Sequence, residues 1–253
     1  LKHHLAYQNL HADLYLEGDV ASALTQLAGA ARCGPDVVGE RTERWTRAHQ
    51  AMEGRLEQAR KAALAADGLD CIALSAVARE MLPANAIFVD ETITHMPQMR
   101  PHLPIHHPQS FFRVTGGALG QGIGAALGTK LAARSQPVVL FVGDGSFLYN
   151  PIIQALGASK AYDLPILIVV CNNSRYEAMR KGHVLYYPKG AAVATDSHHG
   201  VHIDGPQYEE LGCHFGFFGA RAGNVAELRA AFEGALAAMA EGRTAILNAS
   251  LVK

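Results

Sequence analysis

Two apolar segments of this sequence each end in polar residues that suit the binding of a metal ion and phosphate. Val138–Val142 is followed by the residues GDGS, and Ile166–Cys171 is followed by two asparagines. Continuous apolar runs of this length are typical of strands buried on both faces of a parallel sheet. A helix predicted within residues 148–163 would join the two strands as a right-handed crossover. We therefore expect both polar ends at the same edge of the sheet.

Asp144 and Asn173 carry the chemistry of these two strand ends. A carboxylate and an amide oxygen, completed by backbone carbonyl, water and phosphate oxygens, form a hard-cation site suited to Mg²⁺. Gly143 and Gly145 allow the backbone to turn sharply and a ligand to approach closely. Open α/β sheets bind ligands at the carboxyl ends of their strands, where these residues stand. The pattern predicts a magnesium diphosphate anchored at two strand ends.

The order GDG, helix, apolar strand and NN resembles the cofactor signature of thiamine diphosphate (ThDP) enzymes, in particular the benzoylformate decarboxylase and acetolactate synthase group. That family has a spacer in the mid-twenties between GDG and NN, and here 26 residues separate Gly145 from Asn172. The resemblance implies the ThDP-binding fold, a doubly wound, mostly parallel α/β sheet with helices on both faces. Strand–helix alternation from residue 68 onward favours the same fold class.

The resemblance implies that Mg²⁺ is held by Asp144, Asn173 and the backbone carbonyl of Arg175. Any residue type can offer a carbonyl, so an arginine at this position does not weaken the site. The pair Ser174-Arg175 departs from the Gly or Thr that the family usually has nearby, and we expect it to affect how the loop closes.

Leu119 corresponds to the bulky aliphatic residue that supports the bent V shape of ThDP in the family, and a plain core leucine is the alternative. Thr94 corresponds to a diphosphate ligand, although Thr92 or Thr94 could equally cap the next turn. The residues expected to bind the cofactor are Ile93, Thr94, Gly117, Leu119, Gly143, Asp144, Gly145, Ser146, Asn173, Arg175, Tyr176, Glu177, Ala178 and Met179.

The glycine-rich stretch 115–124 has the composition of a phosphate loop at a helix N-terminus. It is not a dinucleotide fingerprint, because no acidic residue stands at the required distance after a following strand. We expect instead that Gly122, Gly124 and Gly128 allow a helix over Gly120–Ala133 to pack closely on a neighbour.

Residues 1–66 do not form a complete domain pattern. A short strand over 13–19, a helix capped by Asp19 and a long helix within 36–65 predict the remnant of a middle domain with a helical connector; a small helical extension is the alternative. Trp45, Ala48, Met52 and Leu56 share one face of the long helix. Residues 67–253 are then the ThDP- and Mg²⁺-binding domain, and the start at Leu1 favours a piece of a larger chain.

Composition narrows the classes of partner. A net charge of −1 offers no electrostatic basis for binding nucleic acid, and no apolar run approaches a membrane span. Four widely spaced cysteines predict reduced thiols in a cytoplasmic protein. The pairs His106-His107 and His198-His199 lack the helical spacing of metal ligands.

A long loop is predicted over Gly182–Gly205, where the family has a mobile segment over the active site. His183, His198 or His199 could touch the substrate there, but solvated loop histidines are the favoured interpretation.

The resemblance implies a ThDP-dependent 2-oxo acid decarboxylase or an acetolactate-synthase-like carboligase, in which ThDP is the electron sink. The family activates the cofactor with a glutamate from a pyrimidine-binding domain, which we expect outside this chain or on a partner subunit, in a dimer or tetramer. Glu91 is not assigned that role. The alternatives are a non-catalytic ThDP-binding module, one subunit of a split enzyme, or a Mg²⁺-dependent phosphotransfer enzyme. The last of these fits poorly, because this sequence has no P-loop lysine.

Overall fold

The structure is a computed structural model that describes residues 13–114 and 117–252. Contacts between Cα atoms divide the chain into a first unit that ends at Gly54 and a second that begins at Arg55. The domain limits of 1–66 and 67–253 remain a prediction.

The first unit contains helix α1 (Val20–Ala30) and the beginning of α2 (Pro35–Ala65). The predicted cap of α1 is present, because the side chain of Asp19 accepts a hydrogen bond of 2.8 Å from the N–H of Ser22. The predicted strand over residues 13–19 is wrong. A strand requires a neighbour that pairs with its backbone, and within this segment Glu17 alone is bridged.

Three of the four residues predicted to form the apolar face of α2, Trp45, Ala48 and Met52, are exposed, whereas Leu56 is half-buried. Trp45 is 65% exposed and Met52 is 41% exposed, and Leu24 of α1 is 55% exposed. No residue of α1 is buried. The helices of this unit therefore follow the sequence pattern without burying their apolar side chains in the described part of the chain.

The second unit is built on six parallel strands in the order β2-β1-β3-β4-β6-β5. This sheet confirms the predicted fold class. The strands are β1 (Ile87–Glu91), β2 (Phe111–Arg113), β3 (Val138–Gly143), β4 (Leu167–Asn172), β5 (Phe218–Ala222) and β6 (Ala245–Ser250).

Helices cover both faces of the sheet because side chains along each strand alternate between two apolar layers. Val139 and Phe141 of β3 belong to the layer that includes α3 and α10, whereas Leu140 and Val142 pack with α5 and α7. The helices of this unit are α3 (Cys71–Met81), α4 (Met96–Met99), α5 (Gly122–Ala132), α6 (Asp144–Tyr149), α7 (Ile152–Ala161), α8 (Glu177–Tyr186), α9 (Ala191–Ala194) and α10 (Val225–Ala240).

Two short elements differ from the sequence-based expectation. Strand β2 was not predicted, because three residues of which two are exposed carry too little of the apolar signal of a buried strand. The sequence YEELGCHF, Tyr208–Phe215, predicts a helix, and the structure forms a 3₁₀ helix there.

The glycines of α5 act differently from one another. A Cβ at Gly122 would lie 2.6 Å from Oε2 of Glu91 and 3.1 Å from Leu140, so this glycine does allow close packing. At Gly124 and Gly128 a Cβ would have no neighbouring atom within 4 Å. The prediction that all three serve close packing is wrong for these two, because they lie on the exposed face of the helix.

None of the helices in residues 13–114 and 117–252 combines the length and the apolar character needed to cross a membrane.

Candidate functional site

The strand order places a crevice where ligands bind in open sheets. The chain leaves β1 for β2 on one side and returns to β3 on the other, so the connections diverge at the carboxyl ends of β1 and β3. A cavity of about 160 Å³ lies at this edge. Its lining contains all fourteen residues expected to bind the cofactor, together with His95. Thr115 and Gly116, between β2 and this lining, lie outside the described residues.

Asp144 is a buried carboxylate that lines the cavity. It directly follows β3, is 3% exposed, and its Oδ1 accepts a hydrogen bond of 2.9 Å from the N–H of Gly145. Burial raises the pKa of this carboxyl, and backbone N–H groups of Gly145, Ser174 and Arg175 oppose the increase. Within the described residues Oδ2 is buried without a hydrogen-bond partner. Because buried polar atoms normally have a hydrogen-bond partner, an oxygen of this kind indicates a position where a ligand binds.

The second glycine of the GDGS turn is required by an aromatic neighbour. A Cβ at Gly145 would overlap the ring of Tyr176 and would lie 3.0 Å from Ile203. Tyr176 also contacts Tyr149 edge to face, with 6.5 Å between ring centroids. The turn after β3 therefore lies closely against the loop that follows β4.

The two asparagines after β4 have separate roles. Asn172 accepts a hydrogen bond from the N–H of Ser174 (3.0 Å) and donates to Asn248 on β6 (3.1 Å). Asn173 lines the cavity, and its Oδ1 accepts from the N–H of Arg175 at 3.1 Å. The first asparagine holds the turn and the second faces the site.

Ser174 adopts the left-handed region, with φ of 56°. A non-glycine residue in this conformation costs about 1–2 kcal/mol. The departure from the family pattern at Ser174-Arg175 thus places mild strain where the loop turns toward the cavity. The turn is braced by Val201–Ile203, because the N–H of Tyr176 donates to the Val201 carbonyl (2.7 Å) and that of Ile203 donates to the Ser174 carbonyl (2.9 Å).

His95 is a cavity residue that sequence reasoning missed. Its Nε2 lies 3.3 Å from Nδ2 of Asn173. Burial, with a further contribution from Lys181, lowers the pKa of His95, which favours the neutral imidazole. The signal in the sequence was its position next to Thr94, in the segment already expected to meet the diphosphate.

Leu119 is half-buried and lines the same cavity, as does Gly117. Gly120 follows with φ of 96°, and a Cβ there would lie 2.6 Å from the carbonyl oxygen of Tyr149. This position requires glycine for both reasons.

The start of α8 forms the outer wall of the cavity with Glu177, Ala178 and Met179. Arg180 donates two hydrogen bonds to Oε1 of Glu177, of 3.2 Å and 2.8 Å, and one of 3.0 Å to Oε2. This pairing lowers the pKa of Glu177, so its carboxylate is ionised and engaged.

The histidines of the segment 182–205 do not line the cavity. His183 and His198 stack, with 3.0 Å between their Nδ1 atoms, and the side chain of His198 is 7% exposed. The favoured interpretation of solvated histidines is therefore wrong for His198. The expectation of one long loop is also wrong, because α8 extends to Tyr186 and α9 follows.

A second kind of metal site finds no support in the described residues. Nowhere in residues 13–114 and 117–252 do three His, Cys, Asp or Glu side chains cluster as metal ligands would.

Comparison with known families identifies the class of this fold and site. The family model described as "Thiamine pyrophosphate enzyme, C-terminal TPP binding domain" matches residues 73–249. The chain belongs to this family, and thiamine pyrophosphate is ThDP.

Individual relatives agree with the family. Acetolactate synthase isozyme 2 large subunit of Escherichia coli (strain K12) is 30% identical over 138 residues, covering 54% of this chain and 24% of that protein. Benzoylformate decarboxylase of Pseudomonas aeruginosa is 29% identical over 158 residues, covering 62% of this chain and 28% of that protein.

A solved structure shows the same fold. The Rhodococcus jostii RHA1 thiamine diphosphate-dependent 4-hydroxybenzoylformate decarboxylase matches with a TM-score of 0.64 and 26% identity, over 74% of this chain and 33% of that chain. The chain thus corresponds to a quarter to a third of the length of these relatives.

Proposed function

We propose that this chain forms the ThDP-binding part of a 2-oxo acid decarboxylase or of an acetolactate-synthase-like carboligase. The observation that carries the proposal is the free, buried oxygen of Asp144 in a cavity that also contains Asn173, Arg175 and Leu119. Family membership and the activities named for the relatives support the same reaction class.

Magnesium fits the donor set of this cavity. Asp144 offers a carboxylate oxygen without a partner in the described residues, Asn173 an amide oxygen, and Arg175 a backbone carbonyl. Hard oxygen donors in this number, completed by water and diphosphate oxygens, suit Mg²⁺. In this proposal these three residues bind the metal.

Other lining residues bind and orient the cofactor. Thr94 and neutral His95 would offer donors to the diphosphate, and Leu119 would support the bent cofactor. When bound, ThDP supplies an electron sink for reactions at the carbonyl carbon of a 2-oxo acid. Tyr176 and Met179 then shield the site from water on the side of α8.

The carboxylate that activates the cofactor has no candidate among the described residues of the cavity. Glu177 is paired with Arg180, and Glu91 accepts four hydrogen bonds from protein groups. In this proposal a pyrimidine-binding domain or a partner subunit supplies a glutamate.

Exposed apolar side chains on α6, α7 and the end of α8 support a partner of this kind. They are Tyr149 (63% exposed), Ile153 (60%), Leu185 (71%), Tyr186 (74%) and Tyr187 (68%). Large exposed apolar surfaces mark interaction sites. A dimer or tetramer would cover them.

A cytoplasmic setting is also part of the proposal. All four cysteines, Cys33, Cys71, Cys171 and Cys213, are free thiols. Free thiols are the usual state in a reducing compartment.

A non-catalytic ThDP-binding module is the second candidate, favoured by the engagement of both Glu91 and Glu177. Family membership leaves the phosphotransfer alternative without support. Release of CO₂ from a panel of 2-oxo acids by the natural protein, assayed together with the domain or subunit that supplies the glutamate, separates an enzyme from a binding module.

Calorimetric titration of ThDP into the purified protein tests the site itself. We expect binding with Mg²⁺ and none with EDTA. Equal binding under both conditions would contradict the metal site, and absence of binding with Mg²⁺ would contradict the proposed cofactor role. Intact mass of the natural protein then distinguishes a split subunit from a longer enzyme.

A further inference from the structure

Glu91, at the end of β1, has a carboxylate that is almost completely enclosed, with the residue 1% exposed. Its Oε1 accepts hydrogen bonds from the backbone N–H groups of Gly120 (2.6 Å) and Gln121 (2.8 Å). Its Oε2 accepts from the N–H of Gly122 (3.0 Å) and from Nδ2 of Asn150 (2.8 Å). Both oxygens are therefore satisfied by protein donors.

Asn150 completes the arrangement. Its Oδ1 accepts from the N–H of Ile123 at 3.0 Å. Four consecutive backbone N–H groups around the start of α5, from Gly120 to Ile123, thus have side-chain acceptors. Such groups are otherwise unpaired, and the positive end of the helix dipole favours an anion there. The anion at the start of α5 is thus the carboxylate of Glu91, a group of the protein itself.

The glycines of this segment allow the carboxylate to approach. A Cβ at Gly122 would lie 2.6 Å from Oε2 of Glu91, and Gly120 has a backbone conformation that favours glycine. The glycine-rich stretch that has the composition of a phosphate loop is therefore shaped around Glu91.

The same carboxylate connects three segments that line the cofactor cavity. Glu91 lies two residues before Ile93, and its partners Gly120 and Gln121 directly follow Leu119. Asn150 also donates to the carbonyl of Ser146 at 2.9 Å, which reaches the GDGS turn. The relative placement of these segments depends on one buried cluster of hydrogen bonds around Glu91 and Asn150, which we call the node.

We propose that Glu91 is a positioning residue of the ThDP site: through the N–H groups of Gly120 and Gln121 it holds Leu119, whereas the GDGS turn is held separately by the bond from Asn150 to the Ser146 carbonyl. The inference rests on the proposed function. It separates two parts of the ligand, because Leu119 would support the thiamine moiety whereas Asp144, Asn173 and Thr94 would serve the diphosphate.

The substitution Glu91→Gln tests the role with little change in volume. The glutamine amide would oppose the N–H of Gly122 and the amide of Asn150, donor against donor. We expect at least about 10-fold weaker binding of ThDP with Mg²⁺, and less than about 2-fold weaker binding of inorganic diphosphate with Mg²⁺, since the loss concerns hydrogen bonds to a charged group beside Leu119. Calorimetry on the purified protein measures both.

The matched control is Asn224→Ala, which removes the cap of α10 by deleting an acceptor for the N–H of Glu227 at 2.9 Å. This variant lowers the melting temperature and leaves the ratio of ThDP to diphosphate affinity unchanged. A merely structural Glu91 would behave in the same way.

The double variant E91Q/N150D returns a carboxylate to the node. The carboxylate introduced at position 150 accepts from the amide introduced at position 91 and from the N–H of Ile123. Asn150→Asp alone places two carboxylates beside each other. A carboxylate at position 150 cannot donate to the carbonyl of Ser146, so the matched comparison is between the two variants that share this loss. We therefore expect E91Q/N150D to bind ThDP more tightly than N150D, a coupling that independent sites lack. The comparison with N150D decides the question if E91Q does not fold.

Three outcomes have distinct meanings. Selective loss of ThDP affinity in E91Q, with tighter binding by the double variant than by N150D, supports the positioning role. An unchanged affinity ratio in E91Q, or a double variant that binds ThDP no more tightly than N150D, overturns it. Failure of the wild-type protein to bind ThDP overturns the proposed function instead.

Discussion

Two neighbouring strands end in buried carboxylates, Glu91 as the last residue of β1 and Asp144 directly after β3, which differ in how far their oxygens are hydrogen-bonded. Glu91 accepts four hydrogen bonds from protein donors. Asp144 accepts one hydrogen bond with good geometry, from Gly145, and keeps one buried oxygen without a partner in the described residues. Burial alone therefore does not identify a ligand-binding carboxylate. The number of hydrogen-bond donors around each of its oxygens does identify it.

The adjoining loops follow the same division. Glu91 accepts from the N–H groups of Gly120 and Gln121, so this end of the segment is bound to the protein, while Gly117 and Leu119 line the cavity. The GDGS turn is held by Asn150 through the Ser146 carbonyl and presents Asp144 to the same cavity. The N–H groups after Leu119 are therefore occupied by a carboxylate of the protein, whereas the carboxylate of the GDGS turn is open to a ligand.

The largest expected effect follows from removing the open carboxylate. Asp144→Ala should abolish Mg²⁺-dependent ThDP binding, a loss above about 100-fold, since even outer-shell changes at metal sites cost roughly 10–100-fold. Calorimetry with Asp67→Ala, a change at an exposed carboxylate, as the control measures it. Retained ThDP binding by D144A would contradict the assigned site and, with it, the distinction between Asp144 and Glu91.

Removing the closed carboxylate should also cost stability, apart from its effect on ThDP affinity. Glu91→Gln is expected to lower the free energy of unfolding by about 2 kcal/mol, because buried donors lose their acceptor. Asp144→Asn, measured without ligand, should instead raise the free energy of unfolding, since burial disfavours the charge of the Asp144 carboxylate. Urea unfolding of the two variants compares them, and a destabilised D144N protein would contradict the distinction between open and closed carboxylates.

Asp90, next to Glu91 on β1, offers a pH-dependent test. Its Oδ1 accepts from Thr92, Oδ2 has no hydrogen-bond partner in the described residues, and Arg113 lies 3.4 Å away. Burial raises the pKa of Asp90 above its value of 3.8. A raised pKa means that the folded state binds the proton more tightly, so stability falls as pH rises from the unfolded pKa through the folded one.

Asp90→Asn should remove this fall. We expect the variant to be more stable than the wild type by about 1 kcal/mol at pH 7, with the difference vanishing below the unfolded pKa of about 4. Denaturant unfolding across acidic to neutral pH provides the measurement. A difference that is constant with pH would show that ionisation of Asp90 is not the cause.

The smallest effect concerns the two types of glycine on α5. Gly128→Ala should stabilise the protein by about 0.5–1 kcal/mol, because its position in the helix is open and alanine is the better helix former. Gly122→Ala should destabilise it, because its Cβ would meet Glu91. Thermal unfolding of both variants compares them. Equal shifts in melting temperature would mean that Glu91 does not need to approach the backbone at position 122 closely.

Much of the fold could be predicted from local patterns. The runs that form β1, β3 and β4 are largely apolar, and caps such as Asp70, which accepts from the N–H of Ala73 at 2.7 Å, act over a few residues. Strand β2 escaped prediction because its pairing with β1 is a long-range contact that leaves little trace in three residues.

The candidate site was predictable as a set of residues and not as a set of roles. The signature and its spacing indicated the lining residues, which then meet around one cavity. The difference between Asn172 and Asn173, the contact of His95 with Asn173, and the closure of Glu91 depend on which donors are nearby in space.

By itself the sequence determined the alternation of strands and helices, the family signature and the strand ends where polar residues stand, because these depend on side-chain type and spacing along the chain. Tertiary structure alone decided which buried carboxylate is satisfied and which is open. Glu91 and Asp144 look alike in sequence, each an acidic residue at the end of an apolar strand. The hydrogen bonds of Glu91, and the bond of Asn150 to Ile123, join residues 27–59 positions apart. Contacts over such separations exist only once the sheet has assembled.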